Sequence, residues 1–240
     1  IVGCTNAVNL TDGLDGLATG LSAIAAGAFA LFAYIFGRVD STTYLNLFYL
    51  PGAGELTIFC AALLGGCLGF LWFNAHPAQV FMGDTGSLAL GGAFGTVSIL
   101  LKAEFLLLII GGIFVAEAVS VILQTSVYRW YKRSRGKEYA GNHRVFRMAP
   151  LPHHFEKLGW HESTVVTRFY ILGIFCAMVA FATCYWFIDV KGYRRWAHPF
   201  VVYGMNAIVI FALSGIVAKL LYLVRWPAAD GTAVTLKGFI

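Results

Sequence analysis

Acidic side chains gather in two short segments of an otherwise apolar chain. Segment 6–18 (NAVNLTDGLDGLA) contains Asp12 and Asp15, and segment 81–87 (FMGDTGS) contains Asp84. These are three of only twelve acidic residues in the chain. Carboxylates beside hydrocarbon are costly and are retained mostly where they bind or react. Neither segment contains a basic residue, so the simplest predicted partner is a cation or a substrate.

The first acidic segment combines two carboxylates with two amides. Asp12 and Asp15 are three residues apart, and each is followed by a glycine. On a helix, residues at this spacing share one face, and glycine permits close approach of a ligand. An aspartate N-cap followed by a turn is the alternative. Two carboxylates together with Asn6 and Asn9 exceed what capping requires, so we favour a binding or reactive site.

The second segment places Asp84 in a glycine-bounded loop that is predicted to lie directly before an apolar helix. Helix N-termini attract phosphate through free backbone N–H groups. Mg²⁺ binds through one or two carboxylates together with substrate phosphates. Asp84 is therefore a candidate Mg²⁺ ligand, with a simple helix cap as the alternative.

Two further groups of polar residues could carry chemistry. Glu117, Ser120 and Gln124 are predicted to line one helical face, where Glu117 has either a structural or a functional role. His153 and His154 could act as acid or base, or donate hydrogen bonds to a diphosphate, although paired loop histidines are often only surface residues. No chemistry is assigned to the isolated histidines, which are His76, His143, His161 and His198.

The composition is that of a protein solvated by lipid. The 240 residues are 59% hydrophobic and 12% charged, with a mean hydropathy of +0.74, whereas soluble domains carry about 25% charged residues. None of the five cysteines forms a C-x-x-C spacing, so neither a disulfide nor a zinc site is predicted. The fold class predicted is all-α, a polytopic transmembrane helical bundle of about six spans, at 18–37, 56–73, 86–101, 104–124, 165–188 and 199–224.

The charge distribution predicts which loops share one membrane face. Between residues 124 and 168 there are nine Lys or Arg against three Glu, and basic loops are enriched on the cytoplasmic side. Counting spans back from this loop places segments 1–17 and 74–86 on the same side. Both acidic segments and the histidine pair are therefore predicted to converge on one cytoplasmic site.

Three motifs together resemble one family of membrane enzymes. Segments 6–18, 74–92 (with FMGDTGSLALG) and 149–160 (APLPHHFEKLGW) resemble the phospho-N-acetylmuramoyl-pentapeptide transferases, in the order found in that family. The resemblance covers residues 1 to about 188. It implies Mg²⁺-dependent transfer of phospho-MurNAc-pentapeptide from UDP-MurNAc-pentapeptide to undecaprenyl phosphate, at the cytoplasmic face of the bacterial inner membrane. It implies no nucleic-acid partner and leaves a homodimer open.

The resemblance also implies individual roles. Asp84 matches the Mg²⁺ ligand and Asp12 the essential active-site aspartate, while His153 and His154 match the last two of three consecutive histidines. Gly13, Leu14, Asp15 and Phe81 match residues of the uridine pocket, and Asn74 and Gln124 match polar groups around the nucleotide. Asn6 and Asn9 are further candidate substrate-binding residues.

The chain also departs from the family pattern. Pro152 stands where the first histidine of the triplet is expected, and the basic stretch 130–140 is longer than usual. The family's N-terminal aspartate pair is missing, so the 240-residue chain alone is expected to be inactive. We divide the chain into 1–188, part of the transferase domain, and 189–240, an additional span and tail without a predicted role.

Two other functions remain open at the level of sequence. One is a related polyprenyl-phosphate transferase that uses a UDP-N-acetylhexosamine. The other is an ion-coupled transporter in which Asp12, Asp84 and Glu117 line the ion path. Transporter sites tend to lie near the bilayer midplane, whereas these polar residues collect at one predicted face.

Overall fold

The computed structural model describes residues 1–45, 47–185, 225–227 and 233–235. The described helices are α1 Val2–Thr11, α2 Leu17–Phe36, α3 Val39–Tyr44, α4 Ala53–Asn74, α5 Gly83–Leu100, α6 Glu104–Ile110, α7 Gly112–Arg135, α8 Lys137–Asn142, α9 Leu151–Glu156 and α10 Glu162–Tyr185. The chain divides into two compact units, Ile1–Tyr193 and Arg194–Ile240. In the second unit, β1 Arg225–Pro227 pairs antiparallel with β2 Ala233–Thr235.

The central element of the first unit is α2. Its sequence is rich in alanine and glycine, which lets neighbouring helices pack closely in an apolar environment. Phe32 is buried and stacks on Phe181 of α10, with ring centroids 4.2 Å apart. Phe29 is also buried and stacks on Phe94 of α5. The core of this unit therefore forms around α2.

Close backbone contact joins α1 to α5. A Cβ atom at Gly91 would lie 2.5 Å from the Cα atom of Thr5, a separation that excludes any larger residue. This contact aligns the last turn of α1 with the first turn of α5. The two acidic segments are thereby held beside each other.

The prediction of a helical membrane protein is confirmed. Among the described residues, three helices are long and apolar enough to cross a bilayer, namely α2, α4 and α10. Helices α6 and α7 form a fourth candidate span, but they meet at an angle of 81° at Gly111. Helix α5 covers the predicted span 86–101 but is not among these candidates, and the predicted span 199–224 lies outside the described residues.

Candidate active site

The two acidic segments meet through Asn9. The side-chain amide of Asn9 donates hydrogen bonds to Asp84 Oδ1 at 2.9 Å and to Ser87 Oγ at 3.0 Å. The Ser87 hydroxyl in turn donates to the carbonyl of Gly83 at 3.0 Å. Asn9 lies in the last turn of α1 and Asp84 in the first turn of α5, so this network joins residues 75 positions apart.

The local conformation differs from the sequence prediction at both segments. Asp12 and Asp15 lie in the turn between α1 and α2, so the expectation that they share a helical face is wrong. Helix α1 ends at Asp12, its C-cap. Gly16 is the N-cap of α2 and adopts a left-handed backbone conformation, which glycine tolerates. Asp84 lies inside the first turn of α5 instead of before it and makes no side-chain capping bond. Asp12 is a C-cap and Asp84 lies within the first turn of its helix, so neither aspartate is an N-cap.

We call Asn9, Asp12 and Asp84 the Asp84 cluster. Burial, and secondarily the charge of Asp84, raises the pKa of the Asp12 carboxyl above its ordinary value. Within the part of the chain that the structure describes, no salt bridge reaches Asp12 or Asp84. Two neighbouring carboxylates offer only oxygen ligands, which a hard divalent cation such as Mg²⁺ prefers. The lack of a salt bridge leaves these oxygens available to such an ion.

A polar cavity of about 240 Å³ lies at this cluster. The residues that line it are Asp12, Gly13, Leu14, Asp15, Asn74, Phe81, Met82, Gly83 and Asp84. Seven of these nine belong to the set predicted from the motifs, and the structure brings them together at one end of the helices. Asn6 lies apart from them, because its exposed amide donates to the carbonyl of Val2 within α1.

Two of the predicted substrate-binding residues differ sharply in exposure. Asn74 is buried, accepts a hydrogen bond from the Thr19 hydroxyl at 2.7 Å and donates to the carbonyl of Val80 at 2.9 Å. Its amide therefore joins α2 to the end of α4 and holds the loop that leads to α5. Phe81, by contrast, is 73% exposed at the rim of the cavity.

A second group of charged side chains surrounds Asp15, and we call Asp15, His76 and Glu162 the His76 cluster. His76 Nδ1 lies 3.3 Å from Asp15 Oδ2 and 3.4 Å from Glu162 Oε2. Backbone N–H groups support both carboxylates, because Ala78 donates to Asp15 Oδ2 and Asp15 donates to Glu162 Oε1. Sequence reasoning missed His76 and Glu162, since the sequence shows an isolated histidine and a glutamate 86 positions later.

The histidine pair reaches the first acidic segment through Gly13. A Cβ atom at Gly13 would lie 3.0 Å from His153 Nε2, so this ring nitrogen sits against the turn that contains Asp12. The other ring nitrogen of His153 lies 2.7 Å from Glu156 Oε2. His154 Nδ1 accepts a hydrogen bond from the backbone N–H of Arg147 at 3.1 Å, which leaves Nε2 as the protonated nitrogen of the neutral ring.

Glu117 and Gln124 hold the segment that carries these histidines. Glu117 is fully buried in α7, and its Oε2 accepts a hydrogen bond from the backbone N–H of Leu151 at the start of α9. Gln124 exchanges two hydrogen bonds with the backbone of Phe146, at 3.0 and 3.3 Å. Of the two roles left open for Glu117, the structure shows the structural one. Pro152 is buried in the first turn of α9, where a missing N–H is tolerated.

An apolar cavity of about 670 Å³ adjoins the polar one. It lies between α2, α4 and α5 and shares Phe81 and Met82 with the polar cavity. Its remaining lining is almost entirely hydrocarbon, glycine and cysteine, for example Phe59, Leu63 and Phe70. A ligand with a charged end and a long apolar end matches the two cavities together.

Comparisons with known proteins agree with the motifs. Residues 1–102 match the family model described as "Glycosyl transferase family 4". The chain is 65% identical over 183 residues to the phospho-N-acetylmuramoyl-pentapeptide-transferase of Gemmatimonas aurantiaca, 57% to that of Desulfotalea psychrophila and 56% to that of Rickettsia bellii. Each alignment covers 76% of this chain and 48% of the relative, so the chain spans about half the length of the curated relatives it matches.

These identities confirm the resemblance inferred from the three motifs. Over 183 of its 240 residues the chain is similar to the phospho-N-acetylmuramoyl-pentapeptide-transferases, and its first 102 residues match the model of glycosyl transferase family 4.

Proposed function

We propose that the protein transfers phospho-MurNAc-pentapeptide from UDP-MurNAc-pentapeptide to undecaprenyl phosphate and releases UMP. In the overall reaction a P–O bond forms between the lipid phosphate and the sugar-bearing β-phosphorus. The bond from this phosphorus to the oxygen that leaves with UMP breaks. The names of the relatives, at 56% to 65% identity, support this reaction over transfer of a different sugar phosphate or ion transport.

The strongest support for the proposal is that the polar and the apolar cavity adjoin each other. The Asp84 cluster lacks a cationic partner among the described residues, and an apolar cavity begins at Phe81 and Met82 beside it. Both substrates of the proposed reaction bring phosphates, and the acceptor also brings a long hydrocarbon chain. The polar cavity suits the phosphates and the apolar cavity suits the chain.

The Asp84 cluster would hold Mg²⁺, with Asp84 as the ligand and Asp12 beside it. Mg²⁺ when bound supplies positive charge that offsets the charge of the diphosphate. Asn9 orients the Asp84 carboxylate through its amide, which points one donor at Oδ1. Asp12, whose pKa is raised in the absence of a cation, lies at the reaction centre.

Residues on the other side of the polar cavity bind the nucleotide. Gly13, Leu14, Asp15 and Phe81 surround the uridine, and exposed Phe81 offers its ring for stacking. Asn74 acts by holding the 75–80 loop, because both ends of its amide already have protein partners. Gln124 acts in the same way on the segment before the histidines.

The two histidines contribute donors and a proton carrier near the phosphates. Glu156 beside Nδ1 of His153 favours a proton on that nitrogen, which leaves Nε2 to accept one next to Gly13. In His154, Nδ1 accepts the hydrogen bond from Arg147, so the N–H group at Nε2 can donate to a phosphate oxygen. Both rings depend on Glu117, which anchors the start of α9.

The proposed location is the inner membrane, with the site on the cytoplasmic face. The motif segments lie at the same end of α2, α4, α5 and α10, as their mutual hydrogen bonds require. The basic residues of 124–168 lie in the last turns of α7 and in the segments after it, in agreement with the positive-inside tendency. A UDP-linked donor is a cytoplasmic substrate, so this orientation serves the proposed reaction.

The test is an assay of the protein at the full length of its relatives, in detergent or nanodiscs. UMP release is measured with UDP-MurNAc-pentapeptide and undecaprenyl phosphate, with and without Mg²⁺. Release that requires both substrates and Mg²⁺ supports the proposal. Equal release with UDP-N-acetylglucosamine would assign the chain to the related transferases. Ion flux through the protein in sealed liposomes, without UMP release, would assign it to transport.

A further inference from the structure

The His76 cluster joins three separate parts of the fold. Asp15 comes from the turn between α1 and α2, His76 from the loop after α4, and Glu162 from the first turn of α10. Each residue offers one ligand atom, and the three atoms lie within 4.8 Å of one another. They are two carboxylate oxygens and one imidazole nitrogen. The cluster contains no cysteine, so the cysteine spacing could not reveal it.

The two distances from the imidazole to the carboxylates match the edges of a metal polyhedron better than a direct ion pair. Charge-assisted N–H···O bonds are usually about 2.7–2.9 Å long, whereas His76 Nδ1 lies 3.3 and 3.4 Å from the two carboxylates. A tetrahedral ion with ligands about 2.0–2.2 Å away separates them by roughly 3.3–3.6 Å. The imidazole therefore already stands at ligand spacing from both oxygens.

Neighbouring groups orient the three side chains. The backbone N–H of Ala78 donates to Asp15 Oδ2 at 3.0 Å, and that of Asp15 donates to Glu162 Oε1 at 2.9 Å. Such bonds to ligating carboxylates are typical of protein metal sites. The side chains are only 21% to 35% exposed, so the ion would be partly shielded from water while keeping an open position.

We propose that Asp15, His76 and Glu162 form a second cation site, selective for a borderline transition ion such as Zn²⁺. The nitrogen ligand distinguishes it from the oxygen-only Asp84 cluster, because imidazole favours Zn²⁺ over Mg²⁺. Asp15 also lines the polar cavity, so an ion held there competes with the nucleotide. This last consequence rests on the proposed function, whereas binding of the ion does not.

The experiment is a calorimetric titration of the full-length protein with Zn²⁺ in the presence of saturating Mg²⁺. His76→Ala removes the nitrogen ligand and should weaken Zn²⁺ binding at least about tenfold. Glu162→Gln should also weaken it while keeping the acceptor for the Asp15 N–H group. His143→Ala is the matched control, because His143 is an exposed histidine stacked on Tyr139 outside the cluster.

The outcomes separate this site from the Asp84 cluster and from surface binding. Zn²⁺ affinity that persists in Asp84→Asn and in His143→Ala but falls in His76→Ala supports the site. Equal affinity in His76→Ala and the parent, or loss of the affinity in Asp84→Asn, overturns it.

A kinetic arm tests the consequence for the proposed function. Zn²⁺ should inhibit competitively against the UDP-linked donor in the parent but not in His76→Ala. Intact Zn²⁺ binding without such inhibition would leave the site standing and overturn its overlap with the nucleotide.

Discussion

The Asp84 cluster and the His76 cluster lie at the same end of the helices but differ in the groups that lie beside their carboxylates. Asp84 accepts a hydrogen bond from the neutral amide of Asn9, and burial together with the charge of Asp84 raises the pKa of the Asp12 carboxyl. Asp15 and Glu162 instead share an imidazole and receive two backbone N–H groups. Within the described residues, the first pair of carboxylates therefore has no cationic partner, whereas the second pair already has an imidazole and two backbone N–H groups beside it.

The donor atoms of the two clusters differ as well. The Asp84 cluster offers only oxygen, which suits Mg²⁺, and the His76 cluster adds a nitrogen, which suits Zn²⁺. If this distinction holds, changes in the first cluster should affect the chemical step, and changes in the second should affect nucleotide binding. Four variants of the full-length protein test that division.

Asp84→Asn should produce the largest effect and lower kcat by more than about 10³-fold, because the variant loses the ligand for a cation worth several kcal/mol. Asparagine keeps an oxygen that accepts from Asn9, so thermal unfolding should be unchanged. The measurement is UMP release across a Mg²⁺ titration. Parental turnover in this variant would overturn the assignment of Asp84 to the metal.

Asp12→Asn should lower kcat by about 10²-fold, in the range expected for one group that acts in the transition state. It also removes the like charge beside Asp84. Asp40→Asn is the matched control, since Asp40 lies in α3 and makes no described contact with either cluster. An equal loss of activity in both variants would show that the effect of Asp12→Asn is not local to the site.

Glu162→Gln should raise KM for the UDP-linked donor roughly fivefold, with kcat nearly unchanged, because a partly exposed ion pair is worth about 1 kcal/mol or less. Glutamine retains the acceptor for the Asp15 N–H group and removes only the charge beside His76. Steady-state kinetics with Zn²⁺ chelated provide the test. A fall in kcat as large as that of Asp84→Asn would erase the distinction between the clusters.

Ser87→Ala should have the smallest effect, a loss of less than about fivefold in kcat/KM, as expected for one neutral hydrogen bond. It removes one of the two acceptors of Asn9 and leaves Asp84 as the other. Thr96→Ala is the control on the same helix, because the Thr96 hydroxyl bonds only to the carbonyl of Gly92. Equal kcat/KM in the two variants would show that Asn9 does not need Ser87 to orient Asp84.

Much of the site could be predicted from sequence, because its residues occur in long contiguous motifs. Asp12, Asp15, Asn74, Phe81 and Asp84 were predicted together, and they line one cavity. The helical class followed from the low charge content and the long apolar segments. Local periodicity and composition suffice for such features, since they act over a few residues or over the whole chain.

Other features required tertiary contacts. The turn at Asp12–Gly16 replaced the helix expected there, and a broken helix at Gly111 replaced the continuous span predicted over 104–124. Glu117 was open between two roles until its contact with the Leu151 N–H group was known. Each depends on packing between elements distant in sequence, which no local pattern encodes.

The amino-acid sequence alone determined the family resemblance, the helical class and the identity of the carboxylates, because residue types and their spacing specify these directly. The partners of each carboxylate were decided by the fold. Asn9 reaches Asp84 across 75 positions, and His76 and Glu162 reach Asp15 from 61 and 147 positions further along the chain. Electrostatic interactions depend on distance in space and not on distance in sequence. Asp84 and Asp15 therefore have different neighbours, and different expected ligands, only because of how the helices pack.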